Sequence, residues 1–414
     1  MERNLYLDKL IRRKNNGMIK VVTGIRRCGK TYLLFELFHE YLLNSGVDKD
    51  HIIKIALDDR VNKKYRDPDV LCEYIHNAVK DDDMYYVLLD EVQMVPEFED
   101  VLNSFLHIKN VDTYVTGSNA KFLSKDIITE FRGRGDQVHL YPLSFAEFMQ
   151  GRNIDRQQAW NEYTMYGGLP KILEIEKEED RAAYLRDIFT ETYIKDILER
   201  NDVRNPVELE ELLNYLSSAI GGLTNPKKLA DTFKTVKNVS VHPDTIKTYL
   251  DYFEDSFLIS RANRYDVKGK KYISTPMKFY FTDCGLRNAR INFRQYEETH
   301  IMENIIYNEL LIRGYNVDVG MVEYNYCAED KRKIQKQLEV DFVCNQGSKR
   351  LYIQSALVLP TQEKEEQEQL PLQSINDAFK KVIIVKDAPT HYNESGILIL
   401  NLFDFLLKEN SLEY

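Results

Sequence analysis

The first third of the chain alternates short apolar runs with segments of helical hydrophobic spacing. The β-branched run "KVVTG" at 20–24 predicts a strand. Apolar residues at helical spacing follow it, and these are Leu33, Leu34, Leu37, Phe38, Tyr41 and Leu42. Further strands are predicted at 85–89, 111–120 and 137–141. The run at 85–89 is apolar throughout, as in a parallel strand covered on both faces, so we predict an α/β fold.

The middle and last thirds show other patterns. A helix is predicted to begin near Pro226, and a second near Pro243 has one apolar face made by Ile246, Tyr249, Leu250 and Phe253. The segment 257–281 then predicts a hairpin with "KGKK", 268–271, at its tip. In the last third, a helix at 303–314 precedes two predicted strands, "LEVDFVC" and "RLYIQSALV".

Composition narrows the class of protein. A length of 414 residues predicts two to three domains, and the net charge of -10 excludes a chain that coats nucleic acid or anionic membrane with its whole surface. Five cysteines without a CxxC pair indicate a reducing compartment and no structural zinc site. The N-terminus is too charged for a secretory signal, and no apolar run approaches the ~20 residues of a membrane span. We therefore expect a cytoplasmic protein without a membrane partner.

The turn after the first predicted strand, "GIRRCGKT", has the spacing of a P-loop. Its two glycines permit turns in which successive N–H groups bind phosphate oxygens at a helix N-terminus. Lys30 is expected to reach the β- and γ-phosphates and the Thr31 hydroxyl to bind Mg²⁺. Arg26 and Arg27 are expected to be solvated or structural. The residues predicted to contact ATP are Gly24, Ile25, Arg26, Arg27, Cys28, Gly29, Lys30, Thr31 and Tyr32.

An acid pair ends the next predicted strand, in "MYYVLLDEVQ" at 84–93. Beside a P-loop, Asp90 is placed to hold Mg²⁺ and Glu91 to polarise the attacking water. The third strand ends in small polar residues, of which Asn119 or Ser118 is a candidate partner for the γ-phosphate or the water. Arg132 and Arg134 are candidates for an arginine finger, from this chain or a neighbour.

These motifs together resemble the AAA+ ATPase superfamily, and in particular bacterial and archaeal ATPases with a helical lid, a winged helix and a nuclease-like C-terminal domain. The resemblance rests on "KVVTGIRRCGKTYLL", "YYVLLDEVQ", "YVTGSNAKFLS", "FRGRG", "YPLSFAEF", "YGGLPKIL" and "YIKDILERNDVRN". It implies a five-stranded parallel sheet with ATP at the carboxyl ends of its strands. The domains implied are an ATPase core (1–150), a lid (151–209), a winged helix-turn-helix (210–290) and a nuclease-like domain (291–414).

The predicted winged-helix segment has a positive net charge, whereas the whole chain is negatively charged. Residues 224–281 hold eleven Lys and Arg against six Asp and Glu. In DNA-binding winged helices the second helix enters the major groove and the wing touches the backbone. Contacts of that kind give affinity without sequence choice. The candidate phosphate contacts are Lys247, Lys268, Lys270 and Lys271. The alternative is a winged helix that packs only against protein.

The C-terminal third resembles the PD-(D/E)XK nuclease fold with an incomplete site. The resemblance places Asp341 as the first strand acid and either Glu303 or Glu309 as the helical acid. Gln354 stands where the second strand acid belongs, and Ala356 where the lysine belongs. Because a neutral amide and a methyl group cannot replace a carboxylate and an ammonium, we predict a nuclease fold without nuclease chemistry. Lys349, at the preceding turn, is the one alternative lysine.

The predicted function is that of an ATP-dependent, Mg²⁺-dependent AAA+ ATPase that couples its nucleotide state to domain movement. The acid pair Asp90–Glu91 suits water activation better than transfer to a substrate hydroxyl, and no N-K-x-D guanine motif is present, which argues against a kinase or a GTPase. A nucleotide-gated switch or scaffold for a protein or nucleic-acid partner remains the alternative. The sequence leaves the oligomeric state open.

Overall fold

The computed structural model describes residues 2–117, 133–152, 154–237, 239–327 and 333–413. The chain divides into two units. The first comprises Met1–Leu143, Leu169–Glu174 and Asp255–Phe257, and the second comprises Ser144–Gly168, Ile175–Glu254 and Leu258–Tyr414. This division is coarser than the four predicted domains, whose boundaries stay predictions.

A five-stranded sheet forms the centre of the first unit. Its strands are β1 (Ile19–Thr23), β2 (Ile52–Ala56), β3 (Tyr85–Asp90), β4 (Val111–Gly117) and β5 (Gly135–His139). They pair in the order β2-β3-β4-β1-β5, and every pair is parallel, which confirms the predicted sheet. All residues of β1 and β3 are buried, as expected for strands covered on both faces. Ligands of open parallel sheets bind at the carboxyl ends of the strands, so we expect a ligand-binding site at the ends of β1 and β3.

Helices cover the sheet of the first unit. They are α1 (Asn4–Arg12), α2 (Lys30–Tyr32), α3 (His39–Asn44), α4 (Pro68–Ala78) and α5 (Phe98–Phe105), and a π-helical segment, Leu33–Phe38, joins α2 to α3. Short 3₁₀ turns lie at Lys49–His51, Arg60–Arg66, Val92–Met94 and Pro170–Glu174. The apolar faces of α4 and α5 pack onto β1 to β4 around Leu71, Ile75, Leu102 and Phe105. This packing holds β1 and β3 in place beneath the P-loop.

An eight-stranded sheet organises the second unit. Its strands are β6 (Ile259–Asp266), β7 (Lys271–Phe281), β8 (Asn316–Cys327), β9 (Lys333–Gln346), β10 (Lys349–Ala356), β11 (Lys380–Val385), β12 (His391–Tyr392) and β13 (Leu398–Asn401). They pair in the order β12-β13-β11-β10-β9-β8-β6-β7. The predicted hairpin is β6–β7, and its strand β6 pairs in parallel with β8. The hairpin therefore belongs to the same sheet as the C-terminal strands.

The remaining α-helices lie in or at the border of the second unit. They are α6 (Phe145–Gln150), α7 (Arg156–Tyr166), α8 (Glu178–Ile188), α9 (Lys195–Asn201), α10 (Pro206–Ser218), α11 (Pro226–Thr232), α12 (Pro243–Asp255), α13 (Cys284–Arg290), α14 (Glu298–Ile312), α15 (Gln362–Gln373) and α16 (Leu402–Leu407). Two π-helical segments, Phe189–Ile194 and Phe233–Lys237, adjoin them. The predicted apolar face of α12 is buried. Among the described residues, no helix combines the length and hydrophobicity needed to cross a bilayer.

Candidate functional site

The turn between β1 and α2 has the backbone geometry that its glycines predict. Gly24 and Gly29 have φ angles of 146° and 101°, and residues with a side chain rarely adopt such angles. A Cβ atom at Gly24 would lie 2.1 Å from the Leu140 carbonyl oxygen, so only glycine fits there. The turn runs directly into the helical segment that starts at Lys30, and its amides therefore lie at a helix N-terminus. Such a turn can accept a phosphate group.

The Lys30 side chain is hydrogen-bonded to the backbone of its own loop. It is buried, and Nζ donates to the carbonyl oxygens of Gly24 at 3.0 Å and Ile25 at 3.3 Å. These carbonyls hold the ammonium inside the concavity of the turn. Phosphate oxygens carry more negative charge than carbonyl oxygens, so a triphosphate can take their place. Among the other predicted contacts, Ile25 and Cys28 are buried, whereas Arg27 and Tyr32 are exposed.

The side chains of Thr31 and Asp90, which are both predicted to bind Mg²⁺, lie in contact with each other. The Thr31 hydroxyl donates to Asp90 Oδ2 at 2.8 Å, and the Thr116 hydroxyl donates to Asp90 Oδ1. Burial raises the pKa of Asp90 above its ordinary value, although both hydroxyl groups oppose that effect. A buried carboxylate beside a threonine hydroxyl is an oxygen donor set of the kind that Mg²⁺ prefers. The residues therefore fit a magnesium ion.

Glu91 stands in an unusual backbone conformation next to this pair. Its φ angle is 52°, and its N–H donates to Thr116 Oγ1 at 3.0 Å. The Gln93 side-chain amide donates to Glu91 Oε2. Thr116 thus links Asp90 to Glu91 from strand β4. The sequence motif "DEVQ" contains Gln93, but its spacing alone gave no role to Gln93 or Thr116.

Arg3 braces the P-loop from the N-terminal segment. Its guanidinium is buried and donates to the carbonyl oxygens of Cys28 at 3.2 Å and Tyr141 at 2.8 Å. The Cys28 carbonyl shares a peptide unit with the Gly29 N–H. A charge-assisted hydrogen bond to that carbonyl polarises the peptide and makes its N–H a better donor. Sequence reasoning missed this residue, because no motif links position 3 to the loop.

Four other residues predicted to act at the site are not tested there by the described part of the chain. Ser118, Asn119 and Arg132 fall in 118–132, outside the described residues. Arg134 is described and is exposed, and its carbonyl accepts from Ile19 N at 2.9 Å, just before β5. The roles of Asn119, Arg132 and Arg134 stay predictions.

A second cluster of charged side chains lies in the second unit. Lys278 Nζ of β7 lies 2.8 Å from Glu303 Oε1 of α14 and 2.7 Å from Glu339 Oε1 of β9. The Tyr280 hydroxyl donates to Glu303 at 2.6 Å. Glu309 instead pairs with Arg313 at 2.8 Å. The structure thus selects Glu303, rather than Glu309, as the helical acid that faces the strand acids.

The strand residues near this cluster have partners within the fold. Asp341 Oδ2 accepts hydrogen bonds from the Ser355 N–H at 2.8 Å and hydroxyl at 3.0 Å. Gln354 Oε1 accepts from the Asp341 N–H at 3.2 Å, and Ala356 packs in the apolar core. Lys349 is exposed and pairs with Glu413. The ammonium near these acids is therefore that of Lys278, which no spacing rule connects to them.

The charges of the cluster perturb one another. Burial alone would raise the pKa of Glu303, but Lys278, His300 and Tyr280 lower it to about 2. Burial and then the Glu303 charge raise the pKa of Asp341 to about 7. Burial opposes the charged form of Lys278, yet the surrounding carboxylates raise its pKa well above the ordinary value. The cluster is a largely buried ion-pair network in which the pKa of Glu303 is lowered and the pKa of Asp341 is raised.

The four lysines predicted to contact DNA lie at the surface. Lys247 is exposed on α12, and Lys268, Lys270 and Lys271 are exposed at the hairpin turn. Lys268 donates to the Glu323 carbonyl oxygen, so it is engaged with the protein. The exposed positions suit phosphate contacts, and the DNA interface stays a prediction.

Comparisons with known proteins agree with the class of protein predicted for the first unit. Residues 16–149 match the sequence family described as an AAA domain, and residues 157–297 match a domain of unknown function, DUF8612. An uncharacterized protein of Haemophilus influenzae is 31% identical over 99% of both chains. The uncharacterized protein MJ1544 of Methanocaldococcus jannaschii is 29% identical, over 80% of this chain and 73% of that protein.

Solved structures resemble the chain more distantly. The Aeropyrum pernix ORC1 protein, solved in complex with DNA, has 12% identity and a TM-score of 0.33 over 70% of this chain and 92% of its own. A DNA replication initiation factor has 17% identity and a TM-score of 0.27 over 60% and 85%. Neither resemblance is close enough to assign a function. The AAA-domain match confirms the predicted class of the first unit, while the winged helix and the nuclease-like domain stay predictions.

Proposed function

Because residues 16–149 match an AAA domain and the chain belongs to one family with the Haemophilus influenzae relative, we propose that it binds ATP with Mg²⁺ and hydrolyses it to ADP and phosphate. The observation that supports this most strongly is that Thr31 contacts Asp90 at the end of β3, while Lys30 is held on the glycine turn that follows β1. An ammonium, a hydroxyl and a buried carboxylate at a glycine turn are the groups that a Mg²⁺-bound triphosphate requires.

Binding uses groups that are already in position. The amides of the Gly24–Gly29 turn face the phosphates, and Lys30 exchanges the Gly24 and Ile25 carbonyls for phosphate oxygens. Thr31 and Asp90 would hold the magnesium ion, which when bound neutralises charge on the phosphates. The Asp90 carboxylate loses its desolvation penalty when a cation arrives, so ATP and Mg²⁺ should bind cooperatively.

Hydrolysis needs a base for water, and Glu91 lies next to Asp90 in the chain. Its carboxylate accepts the proton as the water oxygen attacks the γ-phosphorus. Asn119 is the proposed partner of the γ-phosphate or the water, and Arg132 or Arg134 the proposed arginine finger, in cis or in trans.

Phosphate release tests the proposal. Wild type should release phosphate from ATP only when Mg²⁺ is present, and Lys30→Ala and Glu91→Gln should reduce the rate at least 10²-fold. Glu97→Gln is a matched control, because Glu97 is an exposed acid shortly after Glu91 in the same loop. Equal rates in wild type, Lys30→Ala and Glu91→Gln would reject the proposal.

We further propose that the nucleotide state sets the arrangement of a DNA-binding winged helix. The exposed lysines of α12 and of the hairpin turn support the DNA part, since phosphate contacts need only accessible positive charge. Fluorescence anisotropy with duplex DNA at two salt concentrations tests it. Replacing Lys247, Lys268, Lys270 and Lys271 by Gln should weaken binding and flatten its salt dependence. Unchanged affinity would favour the alternative in which this segment contacts protein.

For the C-terminal strands we propose a nuclease-like fold without nuclease activity. The neutral Gln354 and Ala356 support this, because they leave two of the four usual roles unfilled. A plasmid-nicking assay with Mg²⁺ or Mn²⁺ tests it. Nicking by wild type that disappears in Asp341→Ala would overturn it.

A further inference from the structure

The side chain of Gln93 has a buried oxygen atom with no hydrogen-bond donor among the described residues. The residue lies in the 3₁₀ turn Val92–Met94, directly after Glu91. Its Nε2 donates to Glu91 Oε2. The reverse orientation of the amide would place two acceptor oxygens against each other, so chemistry assigns the nitrogen to Glu91. Gln93 Oε1 is buried, and no donor among the described residues lies within hydrogen-bond distance of it.

A buried acceptor without a donor is costly, and a catalytic role or a bound water is one explanation for such an atom. This one belongs to the turn that also carries the proposed base. Thr116 Oγ1 accepts the Glu91 N–H and donates to Asp90, so the turn is tied both to β4 and to the proposed magnesium ligand. Glu91 itself is held at φ 52°. The hydrogen bond from Gln93 Nε2 to Glu91 Oε2 then makes the Glu91 carboxylate and the Gln93 carbonyl two neighbouring acceptors.

Two neighbouring acceptors match the two hydrogens of one water molecule. We propose that Gln93 is a catalytic residue of the ATPase reaction: Oε1 accepts one hydrogen of the attacking water, while Nε2 positions Glu91 to accept the other. The lone pairs of the water oxygen are then left for the γ-phosphorus. This inference rests on the proposed function and adds to it the group that orients the nucleophile.

The chemical step balances without a further reactant. The water oxygen forms a bond to the γ-phosphorus, and the bond from that phosphorus to the β–γ bridging oxygen breaks. The bond electrons stay on that oxygen, which becomes part of ADP, and the water proton moves to Glu91 Oε. Glu91 later returns the proton to solvent. Gln93 exchanges no proton, since its hydrogen bond to the water only sets the direction of attack.

The test measures steady-state phosphate release and ATP affinity separately in the full chain. Gln93→Met keeps the length of the side chain but removes both polar atoms. We expect kcat to fall at least 10-fold, and up to about 10²-fold, with the dissociation constant for ATP within about threefold of wild type. Gln157→Met is the matched control, because Gln157 is an exposed glutamine on α7, and it should leave both values unchanged.

Gln93→Asn provides a second variant that keeps the amide but shortens its reach. We expect kcat to fall in this variant as well, because the shorter side chain cannot reach both the water and Glu91 from the same position. Wild-type kcat in Gln93→Met would overturn the inference. A faster rate would also overturn it, since Gln93 would then restrain Glu91 rather than assist it. If the ATP dissociation constant rises as much as kcat falls, the role is structural and the inference fails. Failure of the proposed function is distinguishable, because then wild type and Glu91→Gln have equal rates.

Discussion

Replacing Lys278 by methionine isolates the energetic contribution of the buried ion-pair cluster. The lysine side chain is 4% exposed and lies 2.8 Å from Glu303 and 2.7 Å from Glu339. Glu339 is about one-third exposed and can turn toward solvent in the variant. Glu303 is buried, and the partners that the described residues then leave it are the Tyr280 hydroxyl at 2.6 Å and a His300 nitrogen at 3.9 Å. The cost therefore falls mainly on Glu303.

The pKa of Glu303 gives the order of magnitude of that cost, because Lys278 is the largest of the three partners that lower it, before His300 and Tyr280. It lies at about 2, against an ordinary value of 4.5. At about 1.4 kcal/mol for each pKa unit, the lowering corresponds to about 3 kcal/mol. This agrees with the roughly 3–5 kcal/mol lost when one partner of a buried pair is removed. Because the pKa is depressed, this stabilisation is present above pH 4.5 and is lost as the pH falls toward 2.

Without Lys278, the charge that opposes the effect of burial most strongly is lost. We therefore expect the pKa of Glu303 to rise, so the variant should lose stability relative to wild type as the pH rises. Thermal denaturation should show a midpoint roughly 6–12 °C below wild type at pH 8 and a smaller difference at pH 5. Lys349→Met is the control, because the pair of Lys349 and Glu413 is exposed and 3.5 Å apart, and it should cost less than about 1 kcal/mol. An unchanged midpoint, or the same loss at both pH values, would refute the reasoning.

Three further predictions concern single residues. Arg3→Met should weaken ATP binding about tenfold in calorimetry, because the Cys28 peptide loses its charged partner, and the exposed Arg12→Met should not. Gly24→Ala should abolish ATP binding, since its Cβ atom would lie 2.1 Å from the Leu140 oxygen, and retained affinity would contradict that geometry. Asp341→Asn should gain stability relative to wild type as the pH rises from about 4 to about 7, because the raised pKa of Asp341, about 7, makes its ionisation destabilising in the folded state. Denaturation midpoints at pH 5 and pH 8 that differ from wild type by equal amounts would exclude this.

Local sequence spacing predicted the first unit well. A P-loop is contiguous, so Gly24, Lys30 and Thr31 could be assigned from "GIRRCGKT", and the acid pair at the end of a strand supplied Asp90 and Glu91. The apolar runs predicted parallel strands because strands buried on both faces need no polar alternation. The structure confirms that sheet. It also places the Thr31 hydroxyl beside the Asp90 carboxylate, and the roles of both residues stay predictions.

Tertiary contacts supplied what the spacing could not. Arg3 reaches Cys28 across 25 residues, and Lys278 meets Glu303 and Glu339 from another element. No periodicity in the sequence encodes such approaches, because they depend on how strands and helices pack. The choice between Glu303 and Glu309 was open for the same reason: both lie on α14, and only the packing shows which one faces β9. Gln93 is part of the motif "MYYVLLDEVQ", but its proposed role depends on the direction in which its side-chain amide points.

Calorimetric titration of ATP into the nucleotide-free chain with Mg²⁺ present tests the central claim most directly, since every proposed step begins with a triphosphate in the Gly24–Thr31 turn. The account predicts one ATP bound per chain in wild type and at least tenfold weaker binding in Lys30→Ala. A folded wild-type protein that takes up no ATP, or that binds it no better than Lys30→Ala, would contradict the account.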